Sequence, residues 1–189
     1  MVSRRSSCCL YLYNLVLSVG STVFIWWLIY QPRLPRLSLH DGTLAFFDLS
    51  ENSTALHYNL TVGLAVRNPN KRVGFVYGAL DAAVSYHGAQ LESAPLPPFY
   101  QPRKNTTVLR VPFGGRAGNI DRATAAVFAM EKSQGLFEFD VKLQAKMRMK
   151  LSYLKIGQFH PKFACKVRIQ LPTHGELATA AINTTVCVR

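Results

Sequence analysis

The sequence predicts an all-β domain, an antiparallel β-sandwich with one short helix, carried behind a single N-terminal transmembrane helix. Three observations support this fold class. Residues 9–30 form an uncharged apolar stretch, two later segments alternate between apolar and polar residues with a period of two, and turn-forming residues separate the other apolar runs. Many strands with turn signals between them and one helical segment are typical of an antiparallel sandwich.

The predicted membrane segment is the 22-residue stretch from Cys9 to Tyr30, which contains no charge. A helix of this length spans a hydrocarbon core of ~30 Å. A buried core helix would show a polar face, and a cleaved signal peptide would have a shorter apolar stretch followed by small residues. We therefore predict a retained anchor, with a cytosolic tail over residues 1–8 before it and an extended stalk over 31–40, which contains Pro32 and Pro35.

Charge and glycosylation motifs predict the orientation of this anchor. The positive charges before the stretch are Arg4, Arg5 and the amino terminus, and those just after it are Arg33 and Arg36. This small excess on the N-terminal side slightly favours a cytosolic N-terminus. Four Asn-x-Ser/Thr acceptor motifs all lie after the stretch. They are at Asn52, Asn59, Asn105 and Asn183. Together these features predict that the domain over residues 41–189 lies outside the cytosol.

The four cysteines form two pairs with different predicted roles. Cys8 and Cys9 lie at the cytosolic end of the anchor, where they are candidates for S-palmitoylation or are inert thiols. Cys165 and Cys187 could form a disulfide in an oxidising compartment, closing a loop worth roughly 3 kcal/mol. Cys165 has the inward parity of its strand and Cys187 the outward parity, so this bridge requires a bulge before Cys187.

The clearest strands are 55–67 and 137–151, in which apolar residues recur at every second position. In 137–151 the odd-numbered residues face inward and the even-numbered residues face outward. The second segment is long for one strand, so we expect it to bend or to be covered in part by a neighbouring edge. Further strand candidates are 43–49, 73–77, 79–87, 106–112, 163–171 and 180–188.

One segment, 120–133, is predicted to be helical. Asn119 is its candidate N-cap and Asp121 favours its first turn. Its apolar side is predicted to comprise Ile120, Ala123, Val127 and Met130. The turn signals elsewhere are Asn68-Pro69-Asn70, His87-Gly88, Pro95 to Pro98, Gly114-Gly115, Gly157 and Pro172 to Gly175. Phe99 and Tyr100, after the prolines, are predicted to be core anchors.

The net charge is the main functional signal. The chain has 22 Lys and Arg against 10 Asp and Glu, and residues from Asp41 onward alone carry +8. The outward positions of the long strand hold a candidate polyanion patch, Lys142, Lys146, Arg148 and Lys150. Arg103 and Lys104 lie beside the Asn105 motif, and further cations follow the long strand at Lys155, Lys162, Lys166 and Arg168. The alternative is an ordinary solvated face.

Catalytic and metal-binding motifs are missing from the sequence. It contains no nucleophile elbow, phosphate-binding glycine loop or His-Glu-x-x-His pair. A zinc site from His160, Cys165, His174 and Cys187 lacks the usual paired spacing. The acidic residues do not cluster, which argues against calcium loops and paired-carboxylate hydrolysis. We therefore predict a protein that is not an enzyme and has no cofactor.

Two segments resemble a plant family. VRNPNKRVGFVYG at 66–78 resembles the strand–turn–strand signature of the late embryogenesis abundant type 2 domain. SYHGAQLESAPLPPFYQPRKNTTVLRVPFGG at 85–115 is similar to its membrane-anchored harpin-induced-like branch, in which an "LPxFYQ…KNTT" segment follows the Asn-Pro-Asn turn at this distance. Many members have a longer, often Pro-rich cytosolic tail, whereas only seven residues precede Cys8 here.

The resemblance implies an immunoglobulin- or fibronectin-III-like sandwich, plasma-membrane association and roles in defence and abiotic stress, without catalysis. The expected partners, beyond the membrane itself, are acidic cell-wall polysaccharide, anionic lipid or receptor proteins. An extracellular location excludes nucleic acid. The alternative is a structural, stress-protective domain that is tethered to the membrane and has no specific ligand.

Overall fold

The computed structural model describes residues 3–30, 33–50, 54–170 and 187, with the side chains of 3–9, 26 and 28–30 outside this description. The chain forms two compact units, Met1–Arg33 and Leu34–Arg189. The predicted strand over 180–188, apart from Cys187, and the turn from Pro172 to Gly175 lie outside the described residues.

The first unit contains the helix α1, Ser3–Tyr30. Its Ser21 and Thr22 hydroxyls both donate to the carbonyl oxygen of Ser18, so the two polar side chains are satisfied within the helix. Within the described part of the chain, no helix reaches the length and apolarity needed to span a membrane. The membrane span over Cys9–Tyr30 stays a prediction.

The second unit begins with an antiparallel sheet of three strands, which we call sheet 1. It contains β1 (Arg36–Leu49), β2 (Ala55–Arg67) and β6 (Thr106–Gly118) in the order β1-β2-β6. The prediction of a strand over 55–67 is confirmed. The prediction of a stalk over 31–40 is wrong from Arg36 onward, because Leu37 and Leu39 are buried opposite Val66 and Leu64 of β2.

The predicted turn at Gly114-Gly115 is also wrong, since both glycines lie within β6 and pair with Asn59 and Tyr58 of β2. Two hydrogen bonds join sheet 1 to the second sheet of this unit. The N–H of Gly114 donates to the carboxylate of Glu92 on the other sheet at 2.9 Å. The Tyr58 hydroxyl donates to the Leu91 carbonyl oxygen at 3.0 Å, and burial together with nearby Glu92 raises the pKa of Tyr58.

The other six strands form sheet 2, which is also antiparallel. They are β3 (Gly74–Tyr86), β4 (Ala89–Leu96), β5 (Phe99–Gln101), β7 (Leu136–Leu151), β8 (Leu154–Phe159) and β9 (Lys162–Gln170). The order is β4-β3-β7-β8, with β5 also pairing with β3 and β9 with β7. The predicted strands 73–77 and 79–87 are one strand, because the chain continues through a bulge at Gly78.

The length of β7 follows from its neighbours. On one side it pairs with β3, and on the other its first part pairs with β9 and its last part with β8. The predicted alternation is confirmed, since Phe137, Phe139 and Val141 are each at most 1% exposed whereas Lys142 and Lys146 are exposed. A strand of 16 residues is therefore stable here because two shorter strands cover one of its edges in succession.

The helix α2, Arg122–Gln134, is capped by Asp121 and not by Asn119. The Asp121 carboxylate accepts a hydrogen bond from the Thr124 N–H at 2.8 Å. Hydrogen bonding with Thr124 lowers the pKa of Asp121. Gly135, in the left-handed conformation with φ 68°, ends the helix. The predicted apolar side is wrong for Ala123, Val127 and Met130, because the helix buries Thr124, Phe128 and Glu131 instead. Ile120, just before the helix, is buried as predicted.

The core lies between the two sheets and centres on Phe47 of β1. Its ring contacts those of Tyr86, Phe128, Phe137 and Phe139, with centroids 4.9–5.3 Å away and planes steeply inclined. Edge-to-face contacts of this kind stabilise beyond the area they bury. One side chain therefore holds sheet 1, sheet 2 and α2 together.

Candidate functional site

Asn68, the first residue of the Asn-Pro-Asn turn, is fully buried and fully hydrogen-bonded. Its amide nitrogen donates to the carbonyl oxygens of Val73 and Pro102, at 2.9 and 3.0 Å. Its side-chain oxygen accepts from the backbone and side-chain nitrogens of Asn70. The side chain therefore connects this turn to two separate chain segments, at Val73 and at Pro102.

Gln101 makes the corresponding connection from β5. Its side-chain nitrogen donates to the Val66 and Asn105 carbonyl oxygens at 2.7 and 3.2 Å, and its oxygen accepts from the Tyr77 hydroxyl. Burial raises the pKa of Tyr77 well above its ordinary value. The two signature segments of the sequence therefore meet in one buried polar network. In this network the side-chain amides of Asn68 and Gln101 each donate and accept hydrogen bonds.

Phe99 and Tyr100, in the second of these segments, have different roles. Phe99 stacks on Tyr77 with ring centroids 4.5 Å apart and packs against the core, as predicted. The prediction that Tyr100 is a core anchor is wrong, because this side chain is 49% exposed on the outer face of sheet 2. The Lys150 ammonium lies 4.8 Å above its ring, a cation–π contact.

Of the four glycosylation motifs, the structure describes two. Asn59 is exposed on β2, on the outer face of sheet 1. Asn105 is exposed in the loop before β6, and its side-chain oxygen accepts from the Thr107 hydroxyl at 3.2 Å. Asn52 and Asn183 lie outside the described residues.

Cys165 and Cys187 are joined by a disulfide, with their Cα atoms 4.4 Å apart. Cys165 is buried in β9, and Cys187, which follows this strand in the sequence, packs against the core. His160 lies beside Gln158, and His174 is outside the described residues, as are the side chains of Cys8 and Cys9. Across the described ranges, no group of three or more His, Cys, Asp or Glu side chains could hold a metal ion.

A buried acid that the sequence did not single out is Glu131 of α2. Its carboxylate accepts from the Tyr86 hydroxyl at 2.7 Å and lies 2.8 Å from the His87 ring nitrogen. The pKa of Tyr86 is raised, mainly by burial and secondly by the hydrogen bond to Glu131. These contacts attach the helix to the β3–β4 hairpin and satisfy each polar group, so we assign them a structural role.

The candidate functional surface is the outer side of β7 at its C-terminal end. We call the predicted set of Lys142, Lys146, Arg148 and Lys150 the basic face. Among the described residues, no carboxylate forms an ion pair with Lys142, Lys146 or Arg148. Lys146 and Arg148, with Lys155 of β8, line an open groove of about 290 Å³ whose floor includes Gly78 and Ala79.

The other end of the same surface is neutralised. Glu138 lies 2.9 Å from the Lys166 ammonium and 2.8 Å from the Arg168 guanidinium on β9. The hydrogen bonds from Arg168 and Lys166 lower the pKa of Glu138, and Glu138 in turn raises the pKa of Lys166. The uncompensated positive charge is therefore concentrated around Lys146 and Arg148.

Comparisons with known proteins found a family model and relatives that this chain resembles. The family model "Late embryogenesis abundant protein", LEA_2, matches residues 63–168. NDR1/HIN1-like protein 10 of Arabidopsis thaliana is 33% identical over 193 residues, covering 97% of this chain and 85% of the relative. NDR1/HIN1-like protein 3 of the same plant is 28% identical over 170 residues, covering 86% and 73%. The solution structure of a putative late embryogenesis abundant protein is 16% identical with a TM-score of 0.41, covering 93% of this chain and 90% of that one.

Proposed function

This chain belongs to the late embryogenesis abundant type 2 family, in its NDR1/HIN1-like branch, and from that premise we propose a plant stress and defence protein that binds polyanions without catalysing a reaction. In this proposal α1 is a single-pass plasma-membrane anchor with a cytosolic N-terminus. The second unit, an immunoglobulin- or fibronectin-III-like sandwich, lies outside the cell and presents the basic face to acidic wall polysaccharide or anionic lipid.

The observation that carries the proposal is the concentration, on one strand, of cations that form no ion pair with any carboxylate in the described part of the chain. Lys146 and Arg148 are alternate residues of β7, which pairs with strands on both of its sides. Both residues line one groove together with Lys155. A polyanion bound there would meet several fixed positive charges at once and would gain the combined attraction that an isolated surface cation cannot supply.

Two further features support the proposed location. Asn59 is exposed on the outer face of sheet 1, so a glycan there would leave the outer face of sheet 2 uncovered. A disulfide such as Cys165–Cys187 is typical of domains that mature in an oxidising compartment. Palmitoylation of Cys8 and Cys9 would strengthen the anchor on its cytosolic side.

Binding by the basic face can be tested on the full-length chain held in zwitterionic nanodiscs, with fluorescent polygalacturonate as the probe. We expect Lys142, Lys146, Arg148 and Lys150→Ala together to lower the affinity by roughly tenfold or more, because several attractive charges are lost at once. The wild-type affinity should fall steeply with added salt, since the charges are exposed and therefore screened. Fluorescence anisotropy measures both effects.

Two variants make this test specific. Lys146→Ala with Arg148→Ala should weaken binding much more than Arg116→Ala with Arg122→Ala, a pair of exposed arginines remote from the groove that removes the same charge. Glu138→Gln should strengthen binding, because it releases Lys166 and Arg168. Equal effects of the two double variants, or weak binding that does not saturate, would contradict the proposal and favour a protective domain without a specific ligand.

A further inference from the structure

The hairpin between β7 and β8 exposes large apolar side chains at its tip. Tyr153 is 97% exposed, Leu154 is 65% exposed and Ile156 is 45% exposed. The strands pair as far as Leu151 and Leu154, so Ser152 and Tyr153 form a two-residue turn, with Ser152 at φ 53°. Such a tight turn fixes the direction in which Tyr153 and Leu154 project.

Cations flank this tip on both strands. Lys150 and Lys155 are directly opposite each other in the β7–β8 ladder. Like charges in opposing positions destabilise a strand pair, and among the described residues no carboxylate forms an ion pair with either of them. Arg148 and Lys146 follow further from the tip, so positive charge extends behind the apolar side chains.

An apolar tip bordered by lysines matches the chemistry of a lipid surface. The interface of a bilayer favours tyrosine, whose ring is apolar and whose hydroxyl is polar. Lysine and arginine side chains at that depth meet lipid phosphates. A hydrated polysaccharide would satisfy the cations and leave Tyr153 and Leu154 in water, which favours lipid as the occupant.

We infer that the tip of the β7–β8 hairpin, Leu151–Ile156, inserts into the interface of an anionic bilayer, with Lys150 and Lys155 bound to lipid headgroups. This inference deepens the proposed function, since it rests on the same basic face and assigns to that face a lipid surface. The hairpin provides a second membrane contact, through the β-domain itself and independent of α1.

The test places an environment-sensitive fluorophore at the tip of the full-length chain. Cys8→Ser and Cys9→Ser remove the thiols outside the disulfide, and Tyr153→Cys carries the probe. In the control protein Val108→Cys carries the fluorophore, because Val108 is 40% exposed on β6 of sheet 1. Each protein is reconstituted into nanodiscs of phosphatidylcholine alone or mixed with phosphatidylserine, and a spin-labelled lipid serves as quencher.

In the nanodiscs with phosphatidylserine, we expect the probe at position 153 to shift to the blue and to be quenched, whereas the probe at 108 stays in water. Leu154→Ser should lower the equilibrium constant for insertion on the order of tenfold. Lys155→Glu should lower it by a similar factor or more, because a headgroup attraction is replaced by a repulsion.

The same proteins are assayed for capture of polygalacturonate, which separates the two claims. A probe at 153 that stays in water in every nanodisc, while polygalacturonate still binds, would overturn the hairpin inference and leave the proposed function standing. Equal insertion with and without phosphatidylserine would overturn the assignment to anionic lipid. Loss of both insertion and capture in the wild-type chain would overturn both claims.

Discussion

Replacing Phe47 by alanine is expected to lower the free energy of unfolding of the β-domain by about 3–5 kcal/mol, one of the largest effects of any single substitution in this chain. The Phe47 ring is 3% exposed and contacts aromatic rings from β3, α2 and β7. Its removal would leave a cavity between the two sheets that the surrounding rings, held by strand pairing, could fill only in part. Urea unfolding of the full-length chain in detergent, followed by near-ultraviolet circular dichroism, measures the loss.

Phe46→Ala is the matched control, because Phe46 is the preceding residue of β1 but is 51% exposed on the opposite face. We expect this variant to change stability by less than about 1 kcal/mol. Similar losses for the two phenylalanines would show that Phe47 is not the centre of the core.

Asn68→Asp is expected to be comparably severe, with a loss of about 3 kcal/mol or more at neutral pH. The side-chain nitrogen that donates to the Val73 and Pro102 carbonyl oxygens would become a carboxylate oxygen facing two other oxygens in a fully buried position. Burial and this repulsion would raise the pKa of the introduced carboxyl above its unfolded value. Protonation below that raised pKa restores one donor, so the destabilisation should be smaller at pH 4 than at pH 7.

Asn59→Asp tests whether the loss depends on burial, since Asn59 is exposed on β2. Its stability should differ from that of the wild type by no more than about 0.5 kcal/mol. If Asn68→Asp were equally mild, or if its cost did not diminish in acid, the account of the buried amide network would be wrong.

Those parts of the fold that depend on local alternation were predictable from the sequence. In 55–67 and in β7 every second side chain enters the core, so the period of two identifies both strand and inward face. The prediction failed where long-range pairing decides the structure. Arg36 to Leu39 follow Pro35 and were predicted to be a stalk, yet they pair with β2. Gly114 remains in its strand because it pairs with Asn59 of β2, and Glu92 of sheet 2 accepts its N–H.

The candidate site was predictable to the same extent. The outward parity of β7 placed Lys142, Lys146 and Arg148 on one surface, because parity is a local property. The neutralisation of Lys166 and Arg168 could not be foreseen, since it depends on the register that sets Glu138 opposite Arg168. Gln101 was missed for a similar reason, because its partners Val66 and Tyr77 are brought to it only by the pairing of distant strands.

The measurement that tests the central claim most directly is the mobility of the full-length protein from plant microsomes before and after enzymatic removal of N-glycans. We predict a downward shift on deglycosylation, made smaller by Asn59→Gln and by Asn105→Gln, because both side chains are exposed on the β-domain. This result would place the basic face outside the cytosol, where acidic wall polymers and outer-leaflet lipids are its partners. The absence of any shift, together with digestion of the domain by protease added to sealed vesicles with their cytosolic side outward, would contradict the account.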